Sequence, residues 1–428
     1  MRLLISAGEA SGERYGAQLI EALRRRVPDL QCFGVGGESM QAAGCDLIVQ
    51  SKELAVVGIT EILPRLPKIY GEFRKLVRAV DERKPQAAIL IDSPAFHFKV
   101  ARELHRRGIP AIYYVAPQLW AWRSGRVRLM RRYFKKALVI FPFEEQWYRQ
   151  RGVDAEFVGH PLADLQLPRI SRIEFAGQYG LNPTRDWIAL LPGSRRKEVR
   201  MNLGTMVKGA LSLQAPEALQ RPFHYLIERI RAFAVRQLET IMAGEDALGV
   251  DAGIEQAERL WRAAPAKPEY EFLLPVASTL DFDWVRGILG PTLVPIRLVR
   301  DSSTTLAHAC AAVVASGTAT VEAAMMGTPM AVVYRVSPLT WTLGRPLVHV
   351  KNFAMVNLIA GKQVVPELIQ SDFTPEKVAA KLREILPDGP AREKMEQDLA
   401  QVRERLKCGR DSRTAAERAA DAVLRSLN

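Results

Sequence analysis

Metal and redox chemistry have little to work with in this chain. Its six histidines are dispersed, no helix pairs two of them at ligand spacing, and the four cysteines (Cys32, Cys45, Cys310 and Cys408) form no CxxC motif. We therefore expect no metal, no cofactor and reduced thiols in a cytoplasmic setting. No run of about 18 apolar residues occurs, so no spanning helix is expected. The opening, MRLLISAGEASGE, turns polar too soon for a secretory signal and reads as a buried strand and a turn. Acidic residues are absent from 123–136, where Arg123, Arg126, Arg128, Arg131, Arg132, Lys135 and Lys136 share one stretch. Val127, Met130 and Phe134 recur there at helical spacing, which predicts an amphipathic basic helix. Such a helix is either a solvated face or a contact for anionic lipid or phosphate.

The composition, 48% hydrophobic and 25% charged, is that of a soluble globular protein. At 428 residues the chain exceeds the usual single core, so two domains are expected. A net charge of +13 favours an anionic partner, whether nucleic acid, phosphorylated metabolite or acidic lipid surface. From the first residue, strand-like runs alternate with amphipathic helical stretches. Leu3–Ala7, Gln31–Val35, Ala87–Ile91, Ala111–Val115 and Ala137–Phe141 read as strands, and Gly16–Arg26, Leu66–Arg83 and Phe98–Arg107 as helices. The alternation predicts a parallel sheet with helices on both faces, in which ligands sit beyond the carboxyl ends of the strands.

The segments that follow strands therefore carry the chemistry. In VVASGTATVEAAMMGTP (313–329) a strand ends in the turn Ser316-Gly317-Thr318, and a small-residue helix follows, stopped by Gly327 and Pro329. Unpaired N–H groups and the helix dipole at such a turn favour an anion such as a diphosphate. Glu322, one turn further on, is placed to accept hydrogen bonds from ribose hydroxyls. A second turn of this kind, Pro192-Gly193-Ser194-Arg195-Arg196-Lys197-Glu198, follows the strand Trp187–Leu191. Arg195 is its best candidate for clamping a diphosphate, because a guanidinium offers two parallel donors.

On the amino-terminal side, Gly8-Glu9-Ala10-Ser11-Gly12 reads as a flexible substrate loop, and Asp92 closes the apolar strand that precedes Ser93-Pro94. Asp92 is either a general base with a raised pKa or part of a helix start. The loop Tyr114–Arg123, with Gln118, Trp120 and Trp122, can stack on and hydrogen-bond a base or sugar. Gly34-Val35-Gly36-Gly37 lacks the glycine spacing of a dinucleotide site. Residues 56–70, with Val56, Val57, Ile59, Leu63, Leu66 and Ile69 among Arg, Lys and prolines, read as an interfacial membrane element or as a buried helix pair. Asp281-Phe282-Asp283 matches a metal-binding DxD pattern, but its place at a helix start favours capping. About 75 residues separate the strand at Trp187–Leu191 and its turn from the next strand, which predicts a helical insertion.

Taken together, AGEASGE (7–13), GVGG (34–37), LIDSPAF (90–96), YVAPQLWAWR (114–123), FVGHPL (157–162), LPGSRRKEV (191–199), LPVAST (274–279), ASGTATVEAA (315–324), YRVSPLT (334–340) and VVPELIQ (364–370) resemble, in order, the lipid-A-disaccharide synthase family. The resemblance implies an α/β GT-B fold of two Rossmann-like parallel-sheet domains facing a cleft. Their bounds would be 1–166 for the acceptor- and membrane-facing domain and 167–345 for the UDP-sugar domain, with the helical insertion at about 205–268. Residues 346–428 would return helices to the first domain. It implies an inverting hexosyltransferase that joins UDP-2,3-diacylglucosamine to 2,3-diacylglucosamine 1-phosphate, giving a β-1,6-linked disaccharide and UDP. Asp92 matches the family's essential aspartate. Gly193, Ser194, Arg195 and Arg196 match its first nucleotide loop, and Ser316, Gly317, Thr318, Thr320 and Glu322 match its diphosphate and ribose site. Glu9, Ser11, Gly12, Gln118 and Asn357 would line the acceptor cleft.

Family members lie peripherally on the cytoplasmic face of the inner membrane, as monomers or domain-swapped homodimers, with an anionic lipid surface and no nucleic acid as partner. The chain departs from the family pattern at Glu13, where an aspartate is usual, at Ala95 and His97, where an acid and an amide are usual, and at Val356, where a proline is usual. Two other readings are a related GT-B enzyme, such as a UDP-N-acetylglucosamine epimerase, and a non-catalytic lipid-surface binding protein.

Overall fold

A computed structural model describes residues 1–54, 59–164, 167–214, 270–290, 292, 294–345, 350, 352–386, 388–409 and 411–427. Two parallel sheets organise them. The first holds seven strands: β1 (Arg2–Ala7), β2 (Gln31–Gly36), β3 (Cys45–Gln50), β4 (Ala87–Ile91), β5 (Ala111–Tyr114), β6 (Lys136–Val139) and β7 (Ala155–Phe157), in the order β3-β2-β1-β4-β5-β6-β7. The second holds six: β8 (Asp186–Leu191), β9 (Tyr270–Pro275), β10 (Ile296–Val299), β11 (Ala311–Ala315), β12 (Met330–Tyr334) and β13 (Glu367–Ile369), in the order β10-β9-β8-β11-β12-β13. Every pairing is parallel, as helical crossovers require. In both sheets the strand order reverses beside the first strand, which opens a crevice at the carboxyl ends.

The central strands are continuous apolar runs because both of their faces are covered. All of β4 and β11 is buried, and each large aliphatic side chain buried this way contributes roughly 1.5–3 kcal/mol. Sequence reading missed four strands, β3, β7, β10 and β13, and these are the four sheet edges. The second sheet also runs on past residue 345 to include β13.

The helices that matter for the site are α1 (Ala10–Arg26), α2 (Ile59–Arg83), α3 (Pro94–Arg106), α4 (Arg196–Gln214), α5 (Phe282–Leu289), α6 (Ser302–His308), α7 (Thr318–Met326), α8 (Met355–Ala360) and α9 (Ala415–Leu427). Helix α1 starts at Ala10, so Ser11 and Gly12 belong to its first turn rather than to a flexible loop. Helix α2 runs through Pro64 and Pro67 instead of breaking there. Its carboxyl half packs Leu76, Ala79 and Val80 into the core of the first sheet. Val56 and Val57 lie outside the described residues, while Ile59, Leu63, Leu66 and Ile69 fall on α2. Residues 205–214 of the expected insertion continue α4, and its remainder lies outside the described residues.

The chain ends on the first domain. Helix α9 packs on α1, where Arg26 pairs with Asp421 and Arg25 with Glu417 at 3.3 Å. Arg425 reaches Glu156 at 2.6 Å, and the Asp164 carboxylate accepts from the Ala415 N–H at 2.7 Å.

Candidate active site

The loops after β1 and β4 meet so closely that glycine is required. A Cβ on Gly8 would stand 2.3 Å from the Ser93 Oγ, and one on Gly12 would touch the Asp92 Cβ at 3.6 Å. This contact places Glu9 and Asp92 side by side at the carboxyl ends of adjacent strands. Asp92, Ser93 and Val115 all have positive φ angles (54°, 46° and 57°), on the paired strand ends of β4 and β5. A β-branched residue in this region is strained, and such strain persists only where surrounding contacts over-determine it. Here they do. The Asp92 carbonyl accepts from the Tyr113 hydroxyl at 2.6 Å and from His97 Nδ1 at 2.6 Å, and the Asp92 N–H donates to the Tyr114 carbonyl at 3.2 Å.

The Asp92 carboxyl does not cap the helix after it; Ser93 holds the cap position of α3, without a side-chain bond to the helix. Burial pushes its pKa up to about 6, and the neighbouring Glu9 charge adds to the rise. The Ser93 backbone and the Arg195 guanidinium oppose it. The group is thus ionised at neutral pH yet basic enough to take a proton.

Arg195 comes from the other domain. Its guanidinium lies 3.3 Å from Glu9 and 3.3 Å from Glu198, bridging the cleft. Glu198 also accepts from the N–H groups of Ser194 (3.1 Å) and Arg195 (3.3 Å), so a carboxylate already occupies the anion-binding turn before α4. Gly193 allows this approach: its φ is 124°, and a Cβ there would come within 2.4 Å of Glu198 Oε2. Thr279 donates to the Ser194 carbonyl at 2.7 Å and steadies the turn. Arg196 is exposed and lies 5.2 Å from the Trp284 ring centre.

The second turn opens into the same cleft. Gly317 precedes α7 with no side-chain cap, and nothing lies within 4 Å of where its Cβ would be. The free N–H groups and the dipole of α7 therefore remain available to an anion. Exposed Thr318 stands beside them. Ser316 and Thr320 are otherwise engaged. Ser316 donates to the Phe353 carbonyl at 2.7 Å, and buried Thr320 donates to the Gly317 carbonyl at 2.7 Å, so both shape the turn instead of offering it donors. Glu322 accepts from Ser302 and Ser303 at 2.7 Å each, which ties α7 to the start of α6. Its charge also reaches Tyr15 of α1, whose pKa rises to about 12 chiefly through burial. The two domains thus face one another across a cleft with Glu9 and Asp92 on one wall and Arg195 and Glu322 on the other.

Of the remaining expectations, one needs correction and one holds. Asn357 is fully buried, and its amide is saturated. Its Oδ1 accepts from Val364 (2.7 Å) and Val365 (3.0 Å), and its Nδ2 donates to the Val365 carbonyl (3.0 Å) and to Glu367 (2.7 Å). It fastens the loop after α8 rather than lining a cleft. Glu13 accepts from the Ser39 N–H at 3.0 Å, closing the glycine loop after β2. Asp281 caps α5 through the Trp284 N–H at 2.8 Å, as its position implied. Gln118 is exposed on the aromatic loop. That loop is pinned beneath by Trp120 donating to Glu144 at 2.9 Å and by the Tyr148 hydroxyl on the Pro117 carbonyl.

A description of the lipid-A-disaccharide synthetase family matches residues 3–252 and 289–423. The chain belongs to the lipid-A-disaccharide synthase family. It is 50% identical over 427 residues to the lipid-A-disaccharide synthase of Koribacter versatilis (strain Ellin345), covering 99% of this chain and 98% of that protein. It is 45% identical over 404 residues to the same enzyme of Acidobacterium capsulatum, covering 94% and 91%. The fold is shared with CalG4, the calicheamicin glycosyltransferase, at a TM-score of 0.55 and 15% identity over 100% of this chain and 98% of that one. The two-domain GT-B architecture expected from the motifs is therefore borne out, and the chain is a glycosyltransferase of lipid A disaccharide synthesis.

Within this candidate site, sequence reasoning did not foresee the contacts of Tyr15, Tyr113, Glu198, Ser302 and Ser303. Glu198 alone left a signal, an acid three residues after Arg195 in an otherwise basic turn.

Proposed function

We propose that the enzyme joins UDP-2,3-diacylglucosamine to the 6-hydroxyl of 2,3-diacylglucosamine 1-phosphate with inversion at the anomeric carbon. The observation that carries this reading is the facing pair across the cleft: the buried carboxyl of Asp92 on one wall, and Arg195 with the uncapped amino end of α7 on the other. Asp92 takes the proton of the acceptor hydroxyl as its oxygen attacks the anomeric carbon from the face opposite UDP. The bond from that carbon to the diphosphate oxygen breaks, and UDP leaves. Arg195 and the N–H groups at Gly317 and Thr318 meet the charge that develops on the leaving diphosphate. Gly193, Ser194 and Arg196 complete the donor side, with Glu322 towards the ribose; Glu9, Ser11, Gly12 and Gln118 border the acceptor side.

Both substrates carry acyl chains, so the enzyme works at a lipid surface, here proposed as the cytoplasmic face of the inner membrane. Support comes from the net charge of +13, from exposed Arg128, Arg131 and Arg132, and from exposed Trp122 and Tyr70. No described helix is long and apolar enough to cross a membrane.

Isolating the product and measuring its linkage tests the reaction. A β-configured disaccharide joined through the 6-oxygen is the expected result. An α-configured product would refute inversion at this site, and free acylated sugar alone would refute transfer to the acceptor.

A further inference from the structure

The reading of Asp92 as the base leaves open what holds it in place, and the residues beneath it supply an answer. His97 is completely buried on α3, one turn after the left-handed pair Asp92-Ser93. Its Nδ1 lies 2.6 Å from the Asp92 carbonyl oxygen and its Nε2 lies 2.8 Å from the Ser6 Oγ on β1. A carbonyl only accepts, so Nδ1 carries the proton. In the neutral ring Nε2 must then accept from the Ser6 hydroxyl. Burial holds the imidazole neutral by lowering its pKa to about 4. The Tyr113 hydroxyl donates to the same carbonyl from β5, giving that one oxygen two buried donors. Three secondary-structure elements thus converge on the peptide that follows Asp92, where the backbone turns into its strained conformation.

We propose that His97 is a positioning residue for the transfer reaction: held by Ser6 in its Nδ1-protonated form, it fixes the Asp92 carbonyl and thereby aims the Asp92 carboxyl into the cleft. The proposal rests on the reading of Asp92 as the base. Geometry supports the assignment, since Asp92 is itself in the left-handed pair and its carboxylate swings with any rotation of the peptide that follows it. A displacement of about 1 Å at a reacting group costs up to roughly a hundredfold in rate.

The test compares His97→Phe, which keeps a ring but no donor, with His97→Asn, which keeps a donor, in the full-length enzyme and also in an Asp92→Asn background. His97→Phe is expected to lower kcat at least about tenfold with the donor KM nearly unchanged, while His97→Asn stays within about threefold of the parent. In the Asp92→Asn background His97→Phe is expected to cost nothing more, because its effect runs through Asp92. Ser6→Ala, a smaller change, guards against a misfolded His97→Phe and is expected to lower kcat in the same sense. Full activity in both His97→Phe and Ser6→Ala would overturn the proposal, as would equal losses in the Phe and Asn variants. An additional loss in the Asp92→Asn background would do the same. If Asp92→Asn alone stayed fully active, the base reading would fail first, and that result is separate from the others.

Discussion

Replacing Asp92 by Asn lowers kcat about a thousandfold while leaving affinity for UDP-2,3-diacylglucosamine within about twofold, because a positioned base is worth roughly a hundred- to ten-thousandfold. Asn keeps the size of the side chain and loses only the ability to accept a proton. The proposed donor contacts lie on the opposite wall, so ground-state binding is expected to be spared. The pH profile carries a second signature of the same group. Burial and the Glu9 charge favour the protonated carboxyl, placing its pKa at about 6. Only the ionised form is a base, so kcat/KM declines about tenfold per pH unit below about pH 6 and levels off above it. Equal losses in turnover and donor binding, or a profile flat to pH 5, would count against the base role.

Arg195→Ala is the second large effect, a loss in kcat/KM of about a hundred- to a thousandfold, the range for removing one donor to a developing anion. Arg195→Lys recovers only part of it, since an ammonium cannot reproduce the two parallel donors of a guanidinium. In the free enzyme Arg195 is shared between Glu9 and Glu198 at 3.3 Å each, contacts that are half-exposed and weak. A diphosphate can therefore draw it away at little cost. Arg195 also opposes the rise in the Asp92 pKa, so its removal moves the acid limb of the pH profile upward. Steady-state kinetics from pH 5 to 8 on both variants check this. A lysine variant as active as the parent would rule out the clamp.

What the sequence disclosed follows from how each feature is buried. Central strands such as β4 and β11 announce themselves because both faces are covered and every position is apolar. The four edge strands do not. β3 carries Asp46 on an exposed position, β7 is three residues long, β10 has an exposed Arg297, and β13 begins with Glu367, which is spent on the Phe353 and Ala354 N–H groups. An edge strand pairs on one side only and tolerates polar residues, so periodicity fades there.

The site divides in the same way. Asp92, Arg195 and the Gly317 turn follow strand ends and were singled out for that reason, while position alone left Asp92 open between a base and a helix start. The roles of Tyr113, Ser302 and Ser303 depend on contacts between elements far apart in the chain, which spacing does not reveal. Asn357 misled because the resemblance placed it in the cleft, and a motif does not tell whether an amide faces a ligand or ties its own backbone; here it sits within the apolar helix α8. Only its burial and four bonds decide.

The most direct measurement is UDP release from UDP-2,3-diacylglucosamine in mixed micelles containing EDTA, with and without 2,3-diacylglucosamine 1-phosphate. Release that requires the lipid acceptor and proceeds at the same rate with EDTA is expected, because in the proposed reaction Arg195 and the amino end of α7 meet the leaving charge. Release without acceptor, as a hydrolase or epimerase on this scaffold would give, would contradict it, and so would release abolished by EDTA.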